Sequence, residues 1–286
     1  MNDFVKPKIS LGLAVFFLVL LLLVFVATPV QLAWGMWGLA VTELIILAAA
    51  IIPALLYKWD LKEVFPLDVP SPRQITGVCI LWFGSYVAVT AVSSIIIYFF
   101  PQGLWEVSRY ITELFRSTPF PVTLFIAAVM PAVCEEALHR GLIQYTFGTQ
   151  KKWVLVLAMG LIFGLFHLDP YRFLGTAILG AVMTYIMAET NNLVLPMLFH
   201  LINNSFSTFA TFVNDPTTTA EAVGMPLASV GAFLIFTAVT PFLFVIGTRF
   251  LKSKGANKQN GKKEILAAAV AALILILIGL AVSAAA

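Results

Sequence analysis

Four ionisable side chains lie close together in an otherwise apolar part of the chain. The stretch PAVCEEALHRG, at positions 131–141, contains Glu135, Glu136, His139 and Arg140. Carboxylates and imidazoles act as general acids and bases, and both are ligands for zinc. A charge at the centre of a membrane-spanning helix costs roughly 3 kcal/mol on insertion scales, so such residues usually have a function. This stretch is therefore where the sequence indicates chemistry.

The remaining histidines also lie in apolar segments. His167 ends the segment FGLFH and His200 opens the segment HLINN, so none of the three histidines is in a hydrophilic loop. His200 and Asn204 are four residues apart and share one helix face, as do Glu136 and Arg140, which can form an ion pair. The sequence thus predicts polar side chains on several separate helices.

Composition predicts the elements that carry these side chains. Of the 286 residues, 60% are hydrophobic and 11% are charged, about half the charged fraction of a soluble domain. A spanning helix needs about 20 apolar residues, so the chain has room for eight or nine spans and no separate soluble domain. We predict an all-α, polytopic transmembrane helical bundle with one membrane-embedded domain over 1–286. It would be an integral, multi-pass protein of the cell membrane.

The charges fit a membrane location. The net charge of +3 comes largely from loops and indicates contact with the lipid bilayer, not with nucleic acid. Basic residues concentrate in the loops of one face, which the positive-inside rule makes cytoplasmic, with the amino terminus outside. The predicted spans are 9–28, 33–57, 75–100, 120–148, 153–168, 171–189, 193–212, 227–250 and 264–284. Between them we predict loops at 57–73 and 213–226, an amphipathic interfacial helix at 103–121 and a basic linker at 252–263.

This span map brings the polar groups to similar depths. Glu135 and His167 each lie ~20 Å from the turn that joins the fourth and fifth spans. His200 and Asn204 lie ~12–18 Å from the turn before their own span, on the same membrane face. Glu43, alone in the second span beside Thr42, is either a structural polar residue or part of a substrate path.

Three motifs carry a family resemblance. EEALHR matches Glu-Glu-x-x-x-Arg, FGLFH matches Phe-x-x-x-His, and HLINN matches His-x-x-x-Asn. In this order, in membrane helices, they resemble the CAAX protease and bacteriocin-processing family of intramembrane endopeptidases. The motif-bearing core covers about residues 120–210. One departure is His139, where many members have an aromatic residue.

The resemblance implies an endopeptidase that hydrolyses a peptide bond of a membrane-associated protein or peptide. It implies Glu135 as the base that deprotonates water, with His167 holding that water. It implies His200 and Asn204 as donors to the oxyanion. The supporting ion pair would be Glu136 and Arg140.

The resemblance leaves the metal question open, because some members are labelled metalloproteases while a metal-free glutamate mechanism is also compatible with it. Zinc binds nitrogen and carboxylate donors. The candidate ligands are Glu135, His167 and His200, with His139 weaker, since it also fits an interior hydrogen-bonding role. We favour a mechanism that requires no cofactor.

Two other classes of function compete with the enzyme. A non-catalytic membrane scaffold or a bacteriocin-immunity protein could use the same polar residues as interhelical hydrogen bonds. A secondary transporter could use the two adjacent glutamates as a proton relay, but the sequence has no sign of inverted repeats. The three intact motifs favour the enzyme.

Overall fold

The computed structural model describes residues 7–148, 150–213, 224–252 and 261–286. Within these ranges the regular secondary structure is all helical, and no β-strand is present. Seven of the helices in the described ranges are long and apolar enough to cross a membrane. The chain is an integral, multi-pass membrane protein with an all-α fold, as the composition predicts.

The described ranges contain eleven helices, three of which change winding along their length. They are α1 (Ile9–Trp34), α2 (Met36–Leu56), α3 (Leu61–Val64), α4 (Pro72–Phe99), α5 (Pro101–Arg116), α6 (Phe120–Thr146), α7 (Lys152–Phe166), α8 (Phe173–Thr190), α9 (Val194–Val213), α10 (Leu227–Leu251) and α11 (Gly261–Ala284).

Two of the nine predicted spans do not meet the length and hydropathy expected of a simple span. Helix α7 has 15 residues and is therefore only about 22 Å long, against a hydrocarbon thickness of about 30 Å. Helix α9 has 20 residues but is more polar, because it carries His200 and Asn204 among several serines and threonines. The two exceptions are the helices that bear the second and third motifs.

The connections differ from the prediction at several boundaries: α11 begins at Gly261, inside the predicted linker, and residues 120–121 belong to α6. The segment 57–73, predicted as a loop, contains the single-turn helix α3, which begins because the Asp60 side chain accepts a hydrogen bond from the Lys62 amide. The amphipathic segment predicted at 103–121 is helix α5, which ends at Arg116. Most of the predicted loop 213–226 and linker 252–263 lies outside the described residues, at 214–223 and 253–260.

Helix α6 is the most enclosed of the candidate spans. Sixty-one per cent of its most apolar window is buried, against 17% for α1 and for α11. It packs against α2 and against α9, while α7 and α8 form a tight pair. In that pair, a Cβ atom at Gly160 would lie 2.8 Å from the Ala177 carbonyl oxygen, so the absence of a side chain permits the close approach.

Helix α6 is also irregular. Two of its segments, Phe125–Val129 and Ala137–Ile143, have the wider winding of a π-helix. Such wide turns are frequent at functional sites. Pro131 has no N–H group to offer the Ala127 carbonyl four residues earlier, so that oxygen needs a donor from elsewhere. The irregularity therefore exposes main-chain acceptors in the middle of a buried helix.

Candidate active site

A buried ion pair forms the fixed part of the site. On α6, Nη1 of Arg140 donates to Oε1 of Glu136 at 2.7 Å, and both side chains are fully buried. The pairing expected from their spacing is therefore present. Nδ1 of His200, on α9, lies 2.8 Å from the same carboxylate oxygen. This bond links the first motif directly to the third.

Arg140 also reaches two further helices. Its Nη2 atom donates to the Gly180 carbonyl oxygen on α8 at 2.8 Å. Its guanidinium carbon lies 4.5 Å from the centre of the Phe163 ring on α7, a cation–π distance. Glu136 thus compensates the positive charge. The ion pair as a whole contacts three other helices: Arg140 contacts α7 and α8, and Glu136 contacts α9 through His200. The EEALHR motif organises the centre of the bundle.

Glu135 has a different environment although it is the next residue. Successive side chains project about 100° apart around a helix, so the two carboxylates point in different directions. Glu135 is 8% exposed and lines a chamber, and its Oε2 atom has no hydrogen-bond partner among the described residues. A carboxylate on the chamber wall can accept a proton or a hydrogen bond from a molecule in the chamber.

The Phe-x-x-x-His motif orients His167 at the end of α7. Nδ1 of His167 lies 2.9 Å from the Phe163 carbonyl oxygen, which can only accept, so this nitrogen carries the proton. Nε2 is left free, and the residue lines the chamber of Glu135. The Phe163 ring meets the rings of His139, His167 and His200 edge-on, at centroid distances of 5.1, 4.8 and 5.8 Å. Phe163 therefore sets the spacing of all three imidazoles.

His139 has an interior environment. Its Nδ1 atom lies 2.8 Å from the main-chain carbonyl oxygen of Glu135, and its ring packs edge-on against Phe163 and Phe166. His139 therefore contacts the main chain of Glu135 and not its carboxylate. Nε2 is buried and has no partner among the described residues.

Asn204 uses the carbonyl that Pro131 leaves free. Its Nδ2 atom donates to the Ala127 oxygen at 3.1 Å, and its Oδ1 atom accepts from Nδ2 of Asn203 at 3.2 Å. A side-chain amide has two N–H groups, so one donor remains. The hydrogen bond thus satisfies the free carbonyl in the wide turn of α6 and holds the Asn204 amide of α9 in one orientation.

These side chains line two adjoining chambers. The larger has a volume of about 1050 Å³ and is lined by Glu135, His167 and Asn204. The smaller, of about 370 Å³, is lined by His167, His200 and Asn204. The two share His167 and Asn204, together with Arg172 at the start of α8. Sequence-predicted residues from α6, α7 and α9 thus line two chambers that share part of their walls.

A metal centre stays a prediction. Within the described ranges, no group of three or more His, Cys, Asp or Glu side chains is placed together to hold a metal ion. Nδ1 of His200 and of His167 is hydrogen-bonded, as is usual for metal-ligating histidines, so Nε2 is the nitrogen that would bind a metal. The candidate ligands Glu135, His167 and His200, with His139, are not assembled as a metal site in this geometry.

The structure adds residues to the site that the motifs do not include. Glu43, on α2, is 2% exposed and lines the larger chamber. Arg172 lines both chambers, and its Nε atom donates to Asp169 at 2.6 Å. The only signal for Glu43 in the sequence is that it is the sole ionisable residue of its span.

Together, these features define a class: an all-helical, multi-pass membrane protein with a polar chamber inside the bundle. The family model for the Type II CAAX prenyl endopeptidase, Rce1-like, matches residues 117–206, a range that contains all three motifs. The match confirms, over residues 117–206, the resemblance that the three motifs indicate. No curated protein and no solved structure matches the chain.

Proposed function

We propose that this chain is an intramembrane endopeptidase that hydrolyses a peptide bond of a membrane-associated protein or peptide. One observation carries the proposal: Glu135 lines a chamber that it shares with His167 and Asn204, and its Oε2 atom is buried with no hydrogen-bond partner among the described residues. A buried polar group in a folded protein normally has a partner. Water and a substrate amide would supply one.

In the proposed reaction, Glu135 removes a proton from a water molecule whose oxygen attacks the carbonyl carbon of the substrate. His167 helps to hold this water. Because its Nδ1–H donates to the Phe163 carbonyl, Nε2 carries a lone pair and accepts the second proton of the water as a hydrogen bond. The low polarity of the surrounding helices strengthens both interactions.

The developing oxyanion needs donors that are already in place. The free N–H of Asn204 is one, since the Ala127 carbonyl fixes the amide. His200 is the other: its Nδ1 atom is held by Glu136, so Nε2 is the nitrogen available towards the smaller, adjoining chamber. In its protonated form His200 donates from Nε2, and the Glu136 carboxylate stabilises the positive charge.

Glu136 and Arg140 are positioning residues on this proposal. They touch no reacting atom but hold His200 and, through Phe163, the ring next to His167. The same contacts would also serve a non-catalytic scaffold. What a scaffold leaves unexplained is that Glu135 lines the larger chamber together with His167 and Asn204.

The proposal is tested with the full chain in lipid vesicles. The vesicles are incubated with a library of membrane-anchored peptides, including prenylated CAAX peptides because the family description names them. Cleavage products are identified by mass spectrometry. We expect products from the wild type and none from Glu135→Gln, with equal melting temperatures. Equal products from both proteins, or none from the wild type, would refute the proposed enzyme.

A further inference from the structure

Glu43 shares a chamber with Glu135 but comes from a different helix. Helix α2 packs along the Met130–Glu136 segment of α6, and both carboxylates line the larger chamber. The proposed oxyanion donors come from a third helix, α9, which also packs against α6. A substrate in the chamber would therefore have a carboxylate from α2 available in addition to Glu135.

Glu43 is buried with one carboxylate oxygen unsatisfied. It is 2% exposed, and its Oε2 atom has no hydrogen-bond partner within the described ranges. The polar groups beside it bond to each other instead: Nε2 of Gln31 donates to Oγ1 of Thr42 at 2.8 Å, and that hydroxyl donates to the Gly38 carbonyl at 3.0 Å. An ionised carboxylate in this position would be uncompensated, which is strongly disfavoured, whereas a neutral carboxylic acid is tolerated and can donate a proton.

Peptide hydrolysis also requires a proton donor for the leaving nitrogen; Glu135 can pass on the proton that it takes from water, and a second buried acid in the chamber can supply this proton instead. The leaving nitrogen is a very poor leaving group unless it is protonated as the carbon–nitrogen bond breaks. Nδ1 of both His167 and His200 is occupied, and their Nε2 atoms are assigned to the water and the oxyanion. Asn204 cannot release a proton. Among the described residues that line the chamber, Glu43 is the remaining acidic group that is deeply buried.

We propose that Glu43 is a second catalytic carboxylate, which protonates the leaving nitrogen; this inference rests on the proposed endopeptidase function. Water loses one proton to Glu135 as its oxygen bonds to the carbonyl carbon, and the carbonyl π electrons move to the oxygen. The oxyanion then re-forms the double bond, the carbon–nitrogen bond breaks, and the nitrogen takes the proton of Glu43. The products are a carboxylic acid and an amine. The proton on Glu135 returns to Glu43 through chamber water, which restores the starting state.

The test compares two substrates that differ only in the leaving group. One is the library peptide that the wild type cleaves fastest, and the other is the same peptide with an ester in place of the scissile amide. An alkoxide leaves without the assistance that an amine requires. We expect Glu43→Gln to lower amide cleavage by about 10²-fold or more, and ester cleavage by less than about tenfold. Glu135→Gln should lower both.

Controls separate this effect from misfolding. Glu113→Gln makes the same change on α5, where the side chain is largely exposed and paired with Arg109, and should leave both rates unchanged. Melting temperatures are measured for every variant in the same detergent. Because Glu43→Gln could fail to fold, Glu43→Asp is tested as well: it keeps the acid but shortens its reach, so amide cleavage should fall more than ester cleavage.

The outcomes are distinguishable. Equal losses on the amide and the ester in a folded Glu43 variant, or amide cleavage within about twofold of the wild type, would overturn the role of Glu43. Either result leaves the proposed endopeptidase intact if Glu135→Gln is still inactive. Absence of cleavage by the wild type would instead remove the proposed function, and this inference with it.

Discussion

Glu135 and Glu136 are the same residue type at adjacent positions, yet their surroundings are opposite. The Glu136 carboxylate is fully buried and binds Arg140 and His200. Glu135 lines a chamber of about 1050 Å³ and has no ion-pair partner among the described residues, while Oε2 is buried without a hydrogen-bond partner in both glutamates. A rotation of about 100° around one helix thus separates a residue suited to holding the bundle together from a residue suited to reaction.

The difference follows from where each face of α6 points. The Glu136 face meets α7, α8 and α9, which supply the Phe163 ring, the Gly180 carbonyl and His200. A buried ion pair is tolerable only when further contacts satisfy its remaining groups, and this face provides most of them, although Oε2 of Glu136 and Nε of Arg140 are buried without a partner among the described residues. The Glu135 face meets the chamber, where a substrate or water can do so. Stability and reactivity are therefore separated around a single helix.

The largest effect should come from removing the base. Glu135→Gln keeps the shape of the side chain and loses proton transfer, so we expect peptide cleavage to fall by about 10²- to 10⁴-fold. The melting temperature should stay close to that of the wild type, because no described partner is lost. Cleavage assays in vesicles and melting curves in detergent measure the two quantities. A large drop in stability would show that Glu135, like Glu136, is structural.

On the Glu136 face of α6 we expect a substitution to lower stability strongly, in contrast to Glu135→Gln. Arg140→Met leaves Glu136 buried and uncompensated, which should destabilise the fold by about 3–5 kcal/mol. Arg109→Met is the control, because Arg109 forms an exposed pair with Glu113 at 3.8 Å and such pairs contribute about 0–1 kcal/mol. Denaturation in detergent measures both. Equal, small shifts for the two variants would contradict the contrast between the faces.

A substitution of Asn204 should lower both cleavage and stability, and a second substitution can separate the two effects. Asn204→Ala removes one proposed oxyanion donor, an expected loss of about 10²- to 10³-fold in cleavage. It also leaves the Ala127 carbonyl without its donor, at a cost of about 1–3 kcal/mol.

Pro131→Ala supplies a main-chain N–H four residues after Ala127, so adding it to Asn204→Ala should recover stability but not cleavage. The single variant Pro131→Ala is the matched control for any change in α6 itself. Recovery of cleavage together with stability would mean that Asn204 acts only through the fold of α6.

Much of the site follows from spacing alone. The separation of four residues between Glu136 and Arg140 predicts their ion pair, and the Phe-x-x-x-His spacing lets His167 reach the Phe163 carbonyl within one turn. Apolar length predicts the seven helices that meet the criteria for a span. These are local properties, which a sequence specifies residue by residue.

The rest depends on how helices pack. The bond from Asn204 to Ala127 joins residues 77 positions apart, and it exists because Pro131 and a wide turn free that carbonyl. Likewise, nothing near Glu43 in the sequence indicates that α2 turns this residue towards the chamber of Glu135. The position of His139 between two phenylalanine rings is also set by the packing of α7 against α6.

The smallest effect is expected from removing metals. Because the described residues contain no group of three ligands suited to a metal ion, the proposed mechanism uses only Glu135 and its neighbours. Cleavage by vesicles treated with EDTA or phenanthroline should therefore stay within about twofold of the untreated rate. Loss of cleavage that added zinc restores would mean that the histidines rearrange around a metal when substrate binds. In that case Glu135 would be a metal ligand and not the base, and the contrast between Glu135 and Glu136 would be one between a metal ligand and a structural residue.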